Sequence, residues 1–192
     1  MITYPFREHH PVRTCSKVFT DYTRYKKYLV VDFKNRCGYT DCPDWWFGGK
    51  SHFHIDHFLP HSNPKHLHLK HTYSNLVYAC SFVNGADAKS NKEGDFLDPC
   101  DTDYNLHFER NEFGEIIPNS KSALFMQKEL KLYLKRYSLI WLLDKLEMKI
   151  SLLGEKLRDL PERYNRLEIL ELRNELFDEY ENYKTYLRKE DR

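Results

Sequence analysis

Between Phe53 and Asn91 the chain reads as strand, irregular loop, strand, helix, and that order narrows the folds open to it. Phe53 to Phe58 alternates apolar and polar residues in strand fashion, and Leu76 to Ala79 is a second short apolar run. Pro60, Asn63 and Pro64 make the stretch from Pro60 to Tyr73 an irregular connection, and Cys80 to Asn91 is expected to be helical. Within this region stand His54-Ile-Asp56-His57-Phe-Leu-Pro60, then Asn75-Leu-Val-Tyr-Ala-Cys80, then Asn84 and Lys89. Phosphodiester hydrolysis calls for such groups: an oxygen ligand for a divalent cation, an imidazole to take a proton from water, and a second neutral ligand.

The flanking segments are helical. Tyr22, Tyr25, Leu29 and Phe33 recur at three or four residues within Phe19 to Phe33, which predicts an amphipathic helix with Thr20 or Asp21 as its cap. Cys37 to Gly49, rich in turn residues, reads as a loop. His107 to Ile117 is expected to form a hairpin around Asn111-Glu-Phe-Gly114. From Ser122 to Leu153 the positions Leu130, Leu134, Tyr137, Ile140, Trp141 and Leu146 mark one long helix, ended by Gly154 or Pro161. A second helix, Glu162 to Arg188, sets Ile169, Leu172, Leu176, Tyr180, Tyr183 and Leu187 on one stripe, so the two make a helical hairpin. That stripe serves packing or a protein partner.

Charge divides along the same line. Residues 1 to 92 carry 13 Lys and Arg against 7 Asp and Glu, whereas residues 93 to 192 carry 17 against 22. The basic half holds the motif, as contact with phosphate requires. The first 11 residues lack the apolar core of a secretory signal, and Leu139 to Leu143 is too short to cross a bilayer. A soluble, cytoplasmic protein without membrane contact is expected, with its five cysteines as metal ligands or buried thiols instead of disulfides.

Residues 36 to 92 resemble the HNH endonuclease family, whose core is a β-hairpin and a helix around one metal ion. The Phe-His-Ile-Asp-His-Phe-Leu-Pro run carries the resemblance together with Asn75 and Asn84. It implies an α+β chain: a ββα-metal nuclease core with an N-terminal helix and a C-terminal α-helical hairpin. The expected nuclease domain spans residues 1 to 118, and the hairpin residues 119 to 192.

Carried over residue by residue, the resemblance makes Asp56 a metal ligand and His57 the general base. Asn75 would bridge the loop from behind, Asn84 would be the second ligand, and Lys89 would approach the scissile phosphate. The family sets its lysine three residues after the second ligand, so Asn91 with Lys92 competes with Asn84. Hard oxygen donors favour magnesium or manganese. His54, two residues before Asp56, lies on the same strand face as a supporting or substrate-contacting group; the other histidines of the run from His52 to His71 read as loop residues.

Many members also hold a structural zinc on two cysteine pairs. Cys37, Cys42 and Cys80 occupy matching places, but the fourth falls on Val83, so Cys100 or a histidine would have to close the tetrahedron. The alternative is three small buried residues in a site that lost its metal.

The implied activity is hydrolysis of DNA, double-stranded DNA favoured. Asp98-Pro99-Cys100 and the helices after it are similar to prokaryotic HNH proteins of anti-phage systems, including Septu-type and retron-associated nucleases. A zinc-stabilised module that binds nucleic acid without cutting it is the competing reading, and an RNA-directed nuclease of the same fold a third.

Overall fold

A computed structural model describes residues 2–83, 94–161 and 166–190. Two compact units divide the chain, residues 1–134 and 135–192.

The first unit opens on a strand that the sequence did not announce. β1 (Thr3–Pro5) is three residues long and ends in proline. Its partner is β4 (Phe108–Asn111), which also pairs with β5 (Ile116–Pro118), giving an antiparallel sheet in the order β1-β4-β5. The expected hairpin is there, with Gly114 at φ 75° in the turn, a conformation open to glycine.

Phe6, Tyr104 and Phe108 pack beside this sheet with ring centroids 5.3–5.6 Å apart. Two buried guanidinium groups lie on that aromatic cluster, Arg7 4.2 Å from the Tyr104 ring centre and Arg110 5.3 Å from that of Phe6. Neither cation lacks acceptors. Arg7 donates to the carbonyls of Gly38 and Pro99, Arg110 to those of Gly114 and Thr40. Burial lowers the pKa of both.

Helix α1 (Lys26–Asp32) follows a 3-10 turn, Tyr22–Tyr25, that starts at Asp21. The Asp21 carboxylate accepts from the Thr23 amide at 2.9 Å and the Thr23 hydroxyl at 2.8 Å, so of the two caps expected it is Asp21 that serves. After α1 the chain turns through Lys34 and Asn35 in left-handed geometry, φ 51° and 59°. Their amides return to the carbonyls of Val31 and Val30, the pattern that closes a helix C-terminus.

α1 packs on a second sheet, the antiparallel pair β2 (Phe53–His57) and β3 (Leu76–Cys80). All five β3 residues are buried, consistent with an unbroken apolar run. Gly38 passes so close over β3 that a Cβ there would stand 2.6 Å from Val77 Cγ1 and 2.7 Å from Phe33 Cε1. Its amide donates to the Tyr78 carbonyl at 2.8 Å, so the cysteine-bearing loop is sewn onto the strand.

The long helix expected from Ser122 is two helices. α2 (Lys121–Glu129), capped by Ser120, belongs to the first unit, where Gln127 Nε2 donates to the Ile116 carbonyl of β5. It stops because Lys131 takes φ 52° while the amides of Lys131 and Leu132 bond back to Lys128 and Gln127. Burial of Leu130 and Leu132, each 1% exposed, holds the turn in place.

In the second unit α3 (Lys135–Asp159) runs through Gly154 and ends before Pro161, and α4 (Leu167–Glu190) packs against it as a helical hairpin. Of the stripe, Leu187 is buried, Leu172 is exposed, and Ile169, Leu176, Tyr180 and Tyr183 are half-buried. The chain is thus α+β, with two small sheets among the described residues and a C-terminal helical hairpin. No helix among the described residues is long and apolar enough to cross a membrane.

Candidate active site

Asp56 and His57 are the last two residues of β2, opposite Val77 and Leu76 of β3. Adjacent strand residues face opposite ways, so the two side chains enter different surroundings. The Asp56 carboxylate is buried and accepts a 2.5 Å hydrogen bond from the Tyr39 hydroxyl. Tyr39 is wholly buried, and burial together with the Asp56 charge pushes its pKa well above the ordinary phenol value, so it remains a donor. Two further buried acids are held alike: Asp32 accepts from the Tyr73 hydroxyl at 2.6 Å and Asp44 from that of Tyr78 at 2.7 Å.

His57 is only 8% exposed, and its Nε2 lies 2.9 Å from the Lys70 carbonyl oxygen. A carbonyl can only accept, so neutral His57 carries its proton on Nε2 and its lone pair on Nδ1. Nδ1 makes no hydrogen bond with the described residues. The ring meets Tyr22 edge-on at 4.8 Å between centroids and His61 at 4.3 Å, while His71 lies 6.1 Å from Tyr22. Burial lowers the pKa of His57; the Lys70 carbonyl and Asp56 oppose the shift, and His61 and His71 reinforce it. The imidazole is therefore neutral at pH 7, the form that can accept a proton.

Asn75 closes the loop that follows. Its Nδ2 donates to the Leu59 carbonyl at 3.0 Å, and its Oδ1 accepts from the Leu59 amide at 2.8 Å. Its own carbonyl takes the Phe58 amide at 2.8 Å. One buried side chain thereby clamps the backbone two residues beyond His57. Between these ends the loop makes a 3-10 helix, Pro64–Leu69, capped by Asn63, which brings Lys70 back to His57. Asn75→Ala should leave both Leu59 backbone groups without these partners and cost about 1–3 kcal/mol. A thermal melt tests this directly: an unchanged midpoint would mean that the clamp adds nothing.

Asn84, Lys89, Asn91 and Lys92 lie outside the described residues, and so does the expected helix beyond Val83. His54 faces Ala79 across the strand pair, is exposed, and makes no hydrogen bond with the described residues. It shares a strand side with Asp56, but only Asp56 is enclosed.

The cysteines separate into two places. Cys37, Cys42 and Cys80 are buried together: the Cys80 amide donates to Cys37 Sγ at 3.4 Å, and the Cys37 amide to the Cys42 carbonyl at 2.9 Å. Burial works against ionisation of Cys37, yet hydrogen bonds from Cys80 and Thr40 hold its pKa below the ordinary value; burial raises that of Cys42 to about 12 and lifts Cys80 as well. Val83, 1% exposed, follows Cys80 closely, its amide donating to the Cys80 carbonyl at 3.2 Å. Cys100 sits instead by Arg13 and Asp98, its amide bonded to Asp98 Oδ1. All five cysteines are free thiols.

Among the described residues, no three or more His, Cys, Asp or Glu side chains are disposed to hold a metal. Among the described residues, then, no fourth ligand joins the three thiols to close a four-ligand zinc site. For magnesium or manganese the described residues offer the carboxylate of Asp56, next to His57 in the strand, as a hard donor.

Comparison of the chain with family models, with curated proteins and with solved structures gives no match. Three participants escaped the sequence reading. Tyr22 and Tyr39 looked like helix-face and loop aromatics, and the Lys70 carbonyl is backbone, which leaves no residue-type signal at all.

Proposed function

We propose that this chain is a metal-dependent endonuclease with an HNH-type ββα-metal core that hydrolyses phosphodiester bonds of DNA. The observation that carries the reading is His57 at the end of β2, its Nε2 engaged by the Lys70 carbonyl and its Nδ1 left to accept a proton. The antiparallel β2–β3 pair, the adjacent Asp56 and the Asn75 clamp support it, since together they hold one imidazole in a fixed tautomer and orientation.

In this mechanism a water molecule gives a proton to His57 Nδ1 as its oxygen attacks phosphorus. The bond from phosphorus to the leaving oxygen breaks, and that oxygen takes up a proton. The imidazolium formed is stabilised by the Lys70 carbonyl and by the Asp56 charge, both of which favour protonated His57. Asp56 and Asn84 are the residues that would hold magnesium or manganese, which would supply positive charge against the phosphate. Lys89, carried over from the resemblance, would add a further cation near the phosphate. The likeness of the Asp98-Pro99-Cys100 segment to anti-phage nucleases makes prokaryotic defence the proposed setting.

The test is incubation of purified protein with plasmid, single-stranded DNA and RNA in magnesium, in manganese and in chelator. Plasmid nicking or linearisation in either metal, lost in chelator, is expected. Cleavage of RNA alone would reassign the substrate, and intact nucleic acid in every arm would overturn the proposal.

A further inference from the structure

A groove of about 440 Å³ lies on the first unit, lined by Lys17, Phe19, Thr23, Arg24, Lys26, Lys27 and Tyr28. Four of these seven residues are cations and none is an acid. Asp21 is the neighbouring carboxylate, and both its oxygens are engaged by Thr23 at the start of the 3-10 turn. The cations are not loose. Arg24 lies 4.4 Å from the Phe19 ring centre, Lys27 5.2 Å and Lys17 5.9 Å from that of Tyr28, and the two rings stack at 6.1 Å. Rings that fix the positions of cationic side chains lower the entropy lost when those side chains meet an anion.

The groove is also placed for the chemistry. Thr23 and Arg24 belong to the same four-residue turn as Tyr22, whose ring packs on His57. The groove residues Thr23 and Arg24 thus follow directly on the residue that packs against the proposed general base.

We infer that this groove binds the phosphodiester backbone of the nucleic acid to be cut, through Lys17, Arg24, Lys26 and Lys27. The inference rests on the endonuclease reading for the identity of the polyanion. The contacts are to phosphate, so they set affinity and register without reading sequence. Each phosphate neutralised releases counterions, and the binding constant falls with salt accordingly.

The experiment measures binding in chelator, where no cleavage is expected. Fluorescence anisotropy of a labelled 20-mer, as duplex and as single strand, is followed from 50 to 200 mM salt. The protein variants are wild type, the triple change Lys17→Gln, Arg24→Gln, Lys27→Gln, and a charge-matched control, Lys50→Gln, Lys121→Gln, Lys128→Gln. All six side chains are exposed, so melting temperatures should agree. The groove variant should bind at least about tenfold more weakly, with a salt slope smaller by roughly 2–3. The control should keep nearly the wild-type slope.

The better-bound arm identifies the source of the phosphates as duplex or single strand. No binding by wild type, an unchanged slope in the groove variant, or an equal loss in the control each overturns the inference. Salt-dependent binding lost in the groove variant, by a protein that cleaves nothing in magnesium or manganese, would sink the nuclease reading and leave the groove standing. Cleavage with an unchanged slope would do the reverse.

Discussion

His57→Ala should lower phosphodiester cleavage by roughly 10²–10⁴-fold, the usual cost of removing a positioned general base. The protein should still fold, because His57 ends a strand whose backbone pairing with Leu76 does not depend on the ring. What goes is the Nδ1 lone pair, the Nε2 hydrogen bond to the Lys70 carbonyl and the ring's contacts with Tyr22 and His61. Asp56→Ala should differ in kind: it removes a proposed metal ligand and also the acceptor of the Tyr39 hydroxyl's 2.5 Å hydrogen bond, so both metal affinity and stability fall. A folded His57→Ala protein that cuts at the wild-type rate would end the mechanism.

The pH profile offers a second check. Burial lowers the folded pKa of His57 below its ordinary value of 6.5, so wild-type activity should rise with pH through that lowered pKa and be level by neutrality. Stability follows the same group. Between the folded pKa and 6.5 the unfolded chain binds more protons, so His57 favours folding above 6.5 and loses that contribution as the pH falls below it. An acid-side profile centred above 6.5 would contradict the burial argument.

Periodicity and turn chemistry made the elements legible, and helix ends were where they failed. Asp21 announces a helix start because a carboxylate before an amphipathic run has few other uses. Lys34 and Lys131 announce nothing. Both take the left-handed position that glycine or asparagine usually fills, so the stop between α2 and α3 was invisible in a run of continuous helical spacing. β1, three residues ending in proline, carries too little pattern to be found alone and exists because β4 offers it an edge.

The site divides in the same way. Asp56, His57 and Asn75 stand out through the resemblance of their run to the HNH family, since an adjacent Asp and His alone carry little signal. Arg7 and Arg110 do not, since a buried arginine is read as a surface cation until its carbonyl partners from distant segments are known.

Arg13→Ala should destabilise the fold by about 3–5 kcal/mol. Arg13 meets Asp98 through two hydrogen bonds, 3.0 and 2.8 Å, with both side chains about nine-tenths enclosed. Its Nε also donates to the Leu76 carbonyl at 3.3 Å, where β3 begins and next to the Asn75 clamp. Asp98 in turn accepts the amides of Cys100 and Asp101, at 2.8 and 3.4 Å, so one carboxylate organises the segment that returns after residue 93. Removing the guanidinium leaves that carboxylate enclosed and short of its counter-charge, with a second carboxylate, Asp101, that had also stood 3.7 Å from Arg13.

For a chain of this length the cost corresponds to a melting-point fall of roughly 6–20 °C. Pairing the change with Asp98→Asn should recover part of the loss, because the stranded charge is what makes the single variant so costly. A melting point within about 2 °C of wild type for Arg13→Ala would show that the pair only balances its own desolvation. A double variant less stable than the sum of the single changes would show that Asp98 acts chiefly through the Cys100 and Asp101 amides.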